Sequence, residues 1–144
     1  MIVIPEELLD KILAHTRREA PNEVCGWLAG EGNEVRKIYP VPNVAEDPQA
    51  GFRMEPEVQL STMREIRELG LELTGTYHSH PRTPAVPSAR DGGLAAYPEA
   101  GHLIVSLAAP EPEVLCYLIQ EKESSAVELT VRPPVQLHSR EDLL

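Results

Sequence analysis

The 144-residue chain has no apolar run long enough to span a membrane. Its opening, Met1-Ile2-Val3-Ile4-Pro5-Glu6, lacks the basic start and long apolar stretch of a signal peptide. A cytoplasmic protein without a membrane partner is the expectation. Basic charge is also short, with 13 Lys and Arg against 23 Asp and Glu and a formal net charge of −10. Phosphate backbones are held by basic surfaces, so this balance disfavours a nucleic acid as the main partner. The only two cysteines, Cys25 and Cys116, sit in apolar, strand-like contexts and read as small buried hydrophobes rather than a disulfide or a ligand pair. There is no C-x-x-C, no H-E-x-x-H and no G-x-S-x-G. These absences count against zinc-deaminase, zincin and serine-hydrolase chemistry. Internal repeats and low-complexity segments are absent too.

What is present is ordinary globular material, 42% hydrophobic and 25% charged, in a length that suits one domain. Pro5 to Arg18 places Leu8, Leu9, Ile12 and Leu13 on one face and predicts an amphipathic helix ending before Pro21. Val24 to Ala29 and Val35 to Val41 read as a hairpin turned at Glu31-Gly32-Asn33. A loop over 42–51 leads to a short strand at Phe52-Arg53-Met54. A second helix opens at Pro56, with Val58, Leu60, Met63, Ile66 and Leu69 inward, and stops at Gly70. A strand follows from Leu71 to Tyr77, a short helix runs from Asp91 to about Tyr97, and three further strands cover Leu103 to Leu107, Val114 to Gln120 and Val127 to Val131. This order predicts an α/β domain, a mixed β-sheet flanked by helices, over residues 1–132. Residues 133–144 form a polar C-terminal tail.

The chemistry concentrates in Thr76-Tyr77-His78-Ser79-His80-Pro81 and the proline-rich run after it. Residues two apart on a strand share a face, so His78 and His80 aim side by side. Pro81 keeps His80 extended. Prolines at 84 and 87 force a loop that is able to bring Asp91 back as a third ligand. Two imidazoles and a carboxylate leave the fourth position of a tetrahedral zinc ion open for water, as in a catalytic site. The candidate base is Glu23, a carboxylate at the start of a buried strand, where it is costly without a task or a partner.

Glu23 followed by His78-Ser79-His80-Pro81, six residues, Ser88, two residues and Asp91 resembles the signature of the JAMM (MPN+) metalloproteases, of their small stand-alone prokaryotic type. The similarity extends over residues 1 to about 132. The resemblance implies a cytidine-deaminase-like MPN fold, one Zn2+ per chain on His78, His80 and Asp91, and Glu23 as general acid/base. It also implies that Ser88 donates to the oxyanion of the tetrahedral intermediate. The activity implied is hydrolysis of peptide or isopeptide bonds at the Gly-Gly tail of a ubiquitin-like or sulfur-carrier β-grasp protein.

Blander readings accompany each residue. Ser88 and Asp91 also suit a helix N-terminus, as cap and first-turn acid. Either histidine alone would suit a structural role. His15 on the polar side of the first helix, His102 before a strand and His138 in the tail read as structural, and Trp27 as core. Arg82 and Arg90 flank the motif and are candidates for substrate contact. The competing function is a non-catalytic MPN scaffold that binds protein partners, although such a scaffold is expected to have lost the ligands that this chain keeps. A DNA-repair-associated branch of JAMM-like proteins is disfavoured by the acidic charge.

Overall fold

A computed structural model describes residues 1–121 and 123–134. The tail expected at 133–144, with His138, lies outside the described residues from position 135. Among the described residues eleven elements follow one another: β1 (Ile2–Pro5), α1 (Glu6–Glu19), β2 (Cys25–Glu31), β3 (Glu34–Val41), α2 (Pro56–Glu68), β4 (Glu72–His80), the 3₁₀ helix η1 (Ala89–Ala96), β5 (Gly101–Ser106), β6 (Glu113–Ile119), β7 (Ser124–Val127) and β8 (Leu129–Arg132). The strands form one mixed eight-stranded sheet in the order β7-β6-β5-β4-β2-β3-β1-β8. None of the described helices is long and apolar enough to cross a membrane.

Each helix has local reasons to form. In α1, Glu6 and Glu7 lie in the first turn and Arg17 and Arg18 in the last, complementing the helix dipole. In α2, the Glu55 carboxylate caps the start by accepting from the Glu57 and Val58 N–H groups at 3.1 and 2.7 Å. Pro56 takes the first turn, where no intrahelical donor is needed. Gly70, at φ 69°, ends the helix in a conformation that side chains disfavour.

The two faces of the sheet carry different cores. On one, α1 packs Leu8, Leu9, Ile12 and Leu13 against Ile4, Leu28, Tyr77, Leu103 and Val105. On the other, Trp27, Tyr39 and Met54 pack with Ile66 of α2, and Leu94 of η1 packs with Ile104 and Tyr117. Cys25 and Cys116 are free and buried, and burial pushes the Cys25 thiol up to about 12 and that of Cys116 to about 11. Both are therefore inert packing residues.

Four details depart from expectation. Ile2–Pro5 forms a strand that the sequence hides, because three apolar residues before a proline are too few to show a period. Phe52 to Met54 is not a strand and contributes only the bridge Asn43↔Met54. Leu60 of α2 and Leu69, which follows its last residue, are 55% and 53% exposed, so the inner face is narrower than the apolar spacing implied. The last expected strand divides at Glu128: β7 pairs with β6 at one edge of the sheet, and β8 pairs with β1 at the other. Since one residue separates β7 from β8, the sheet curls until its edges approach, with Val127 and Leu129 both against the α1-side core.

Candidate metal centre

β4 carries the histidines. Alternation along it sends Tyr77 into the α1-side core and His78 to the opposite face, where its ring stacks on Phe52 at 4.7 Å between centroids and 28° between planes. His80 follows on the same face. Ser79 points to the other side, where its Oγ accepts from the Val24 N–H at 2.9 Å. The loop after Pro81 is pinned back by three bonds: Ser106 Oγ to Thr83 O at 2.6 Å, Tyr117 Oη to Ala85 O at 2.7 Å, and His80 Nδ1 to Pro84 O at 2.9 Å. Its return delivers η1 and Asp91.

Donor atoms of three residues then converge. His78 Nε2 and His80 Nε2 lie 3.2 Å apart, His78 Nε2 is 3.3 Å from Asp91 Oδ1, and His80 Nε2 is 3.3 Å from Asp91 Oδ2. Metal bonds of about 2.0–2.1 Å in a tetrahedron give ligand-to-ligand edges of roughly 3.3 Å, the scale of each of these separations, and one ligand atom from each residue lies within 4.8 Å of the others. The donor chemistry fits as well. Pro84 O only accepts, so His80 Nδ1 carries the proton, and the lone pair of the neutral ring sits on Nε2, towards the cluster. His78, His80 and Asp91 are all buried. A lone pair from each ring and one carboxylate make a donor set for a cation.

The electrostatics agree. Burial alone would raise the Asp91 carboxyl, yet hydrogen bonds from His78 and His80, the His78 charge and the Ser88 N–H hold it far below the usual carboxylate range. Burial is the largest influence on both histidines. It wins at fully enclosed His78, which is lowered. At His80 it is outweighed by Asp91, the Pro84 carbonyl and the Glu23 charge, so that ring is raised.

Glu23, 7% exposed, stands two residues before β2 begins at Cys25. Its charge acts on His80, which puts its carboxylate in electrostatic reach of the cluster. Ser88 is exposed at the start of η1. Its N–H donates to Asp91 Oδ2 at 2.8 Å and its carbonyl accepts from the Asp91 N–H at 3.0 Å, and with Asp91 at the third position of η1 the two residues form a capping box. Arg82 donates to Gln49 Oε1 at 2.9 Å. His15 is half-buried rather than on the solvent face, with Nδ1 2.8 Å from the Tyr77 hydroxyl. His102 is fully buried, between Thr76 and the Tyr97 carbonyl.

Sequence reasoning assigned no role to Phe52, Pro84 or Asn43. Ser79 stood inside the motif without a task, and its place between two same-face residues was a signal that it looks the other way. One cleft reaches Asp91 and another reaches Glu23. The first, of about 260 Å³, is lined by Trp27, Phe52, Asp91 and Tyr97, and the second, of about 400 Å³, by His15, Glu23, Asn43 and Pro48.

Residues 5–127 match the family model described as prokaryotic homologs of the JAB domain, and the chain belongs to that family. Among its relatives, a desampylase of Haloferax volcanii is 41% identical over 103 residues, covering 67% of this chain and 74% of that protein. A CysO-cysteine peptidase of Mycobacterium tuberculosis is 35% identical over 112 residues, 76% of each. The solution structure of a Desulfitobacterium hafniense protein, 36% identical, matches at a TM-score of 0.83 over 96% of this chain and 97% of that one.

Proposed function

We propose that this protein is a zinc-dependent peptidase or isopeptidase that hydrolyses the bond following the Gly-Gly tail of a ubiquitin-like or sulfur-carrier β-grasp protein. The observation that carries the reading is the buried cluster of His78, His80 and Asp91, in which the two Nε2 atoms lie 3.2 Å apart and each is 3.3 Å from a different oxygen of the Asp91 carboxylate, beside a buried glutamate. Family membership supports it, since relatives named desampylase and CysO-cysteine peptidase indicate hydrolysis of ubiquitin-like protein conjugates.

In this reading His78, His80 and Asp91 hold one Zn2+ per chain. A zinc ion held there supplies Lewis acidity towards the scissile carbonyl and lowers the pKa of water. Glu23 takes the proton from the attacking water and returns it to the leaving nitrogen, in the role of general acid/base. The Ser88 hydroxyl donates to the oxygen on which negative charge develops. Phe52 and the Pro84 carbonyl fix the planes of the two imidazoles, so that little ordering is left for the binding step.

The test is zinc content as purified, with a Gly-Gly-tailed β-grasp fusion as substrate. About one zinc per chain is expected, lost in His80→Ala. Glu23→Gln keeps the metal and loses turnover by roughly 10²–10⁴-fold. A protein that neither contains nor takes up metal, or an active Glu23→Gln, would sink the reading.

A further inference from the structure

Glu23 does not belong to the sheet, which begins two residues later at Cys25. Its main chain is held by the loop between β3 and α2. The Glu23 N–H donates to Pro48 O at 2.7 Å, and the Glu23 carbonyl accepts from Asn43 Nδ2 at 3.0 Å. Ser79 then takes over at the next residue, accepting from the Val24 N–H and returning its own N–H to Val24 O at 3.1 Å.

Asn43 is the centre of that loop. A carboxamide has two N–H donors and room for two bonds at its oxygen, and all four are used. Nδ2 donates to Glu23 O at 3.0 Å and to Gly51 O at 3.1 Å, and Oδ1 accepts from Ala45 N and Arg53 N, both at 3.0 Å. One side chain thus joins the lead-in to β2, the near arm of the loop and its far arm. The far arm is also where Phe52 leaves to stack on His78.

We propose that Asn43 is a positioning residue for Glu23: by closing the 43–53 loop through both ends of its carboxamide and holding the Glu23 carbonyl with its nitrogen, it sets where the Glu23 carboxylate stands relative to His78 and His80. The proposal rests on the acid/base reading of Glu23. Misplacement of a catalytic group by about 1 Å costs roughly 10²-fold in rate, so losing the Glu23 bond acts on turnover while substrate and metal contacts remain.

Asn43→Asp keeps acceptors for Ala45 and Arg53 and removes both donors, leaving the Glu23 and Gly51 carbonyls without this partner. The experiment compares wild type, Asn43→Asp and Glu23→Gln in three readouts: kcat and KM on a β-grasp protein whose terminal Gly-Gly is amide-linked to aminomethylcoumarin, zinc content, and residue-resolved amide exchange. For Asn43→Asp the expected result is a kcat lower by about 10–10²-fold with KM and zinc content unchanged. Amide exchange should be faster at Glu23 and Val24 but unchanged in β5. Wild-type kcat per zinc-loaded molecule in Asn43→Asp, beside an inactive Glu23→Gln, overturns this inference and leaves the function standing. Equal acceleration of exchange in β5 also overturns it, because Asn43 would then serve only general stability. An active Glu23→Gln overturns both.

Discussion

His102 should make this protein lose stability in mild acid. It lies on β5, fully buried, with Nε2 3.2 Å from Tyr97 O and Nδ1 2.7 Å from Thr76 Oγ1. A carbonyl only accepts, so Nε2 carries the proton and Nδ1 accepts from the threonine hydroxyl. Burial pushes the pKa down to about 4, the His78 charge pushing the same way and the Tyr97 carbonyl and Asp91 against it. The unfolded chain titrates near 6.5 and binds the extra proton first. The stability contribution is therefore complete above 6.5 and is lost as pH falls towards 4. A shift from 6.5 to about 4 amounts to about 3 kcal/mol in all, of which about 2 kcal/mol is gone at pH 5. For a domain of this size that is a fall in Tm of roughly 6 °C between pH 7 and pH 5. His78 and His80 titrate as well, so the assay is a difference: denaturant unfolding of wild type and His102→Gln at both pH values, with chelator present throughout. Glutamine keeps a donor and an acceptor without a titrating proton. A wild-type loss exceeding that of the variant by about 2 kcal/mol is expected, and equal losses would refute the reasoning.

Gly75→Ala should be severe, since a methyl on β4 there runs into the carbonyl oxygen of Gly101 on paired β5. A loss of at least about 3 kcal/mol is expected by calorimetry, against little change for Gly93→Ala, where a methyl meets nothing within 4 Å. A Tm drop as small as that of the control would show that β4 and β5 part easily. Ser88→Ala should lower kcat by about 10²-fold with zinc content intact, because the bond to the Asp91 carboxylate comes from the Ser88 main chain. Loss of metal with unaltered kcat per zinc would assign the hydroxyl to structure instead.

The parts of this molecule that the sequence reveals are those set by local rules. His78 and His80 share a face because strand side chains alternate, and Pro81 keeps the second of them extended. α2 is bounded by Pro56 and Gly70, two residues whose backbone preferences act alone. Contacts made by chain return were not legible. Phe52 reaches His78, and Pro84 orients His80, only once the 43–53 and 81–87 loops have closed. Leu60 and Leu69 look inward by spacing, but the sheet beneath α2 accepts a narrower stripe centred on Ile66. Val127 to Val131 alternates like one strand, and the change of edge at Glu128 depends on how strongly the sheet curls, which no short pattern encodes.

That change of edge has a consequence for how the protein is made. β1, which precedes the other strands of the sheet along the chain, pairs along its length with β8, with Ile2 opposite Leu129 and Pro5 opposite Arg132, and the Ile2 N–H donates to Glu128 O. The same few residues finish the sheet at its other side through β7. Neither border of the sheet is complete until residues 124–132 have left the ribosome. A nascent chain that already carries both histidines and Asp91 therefore still presents open strand edges, and residues 124–132 act as the clasp.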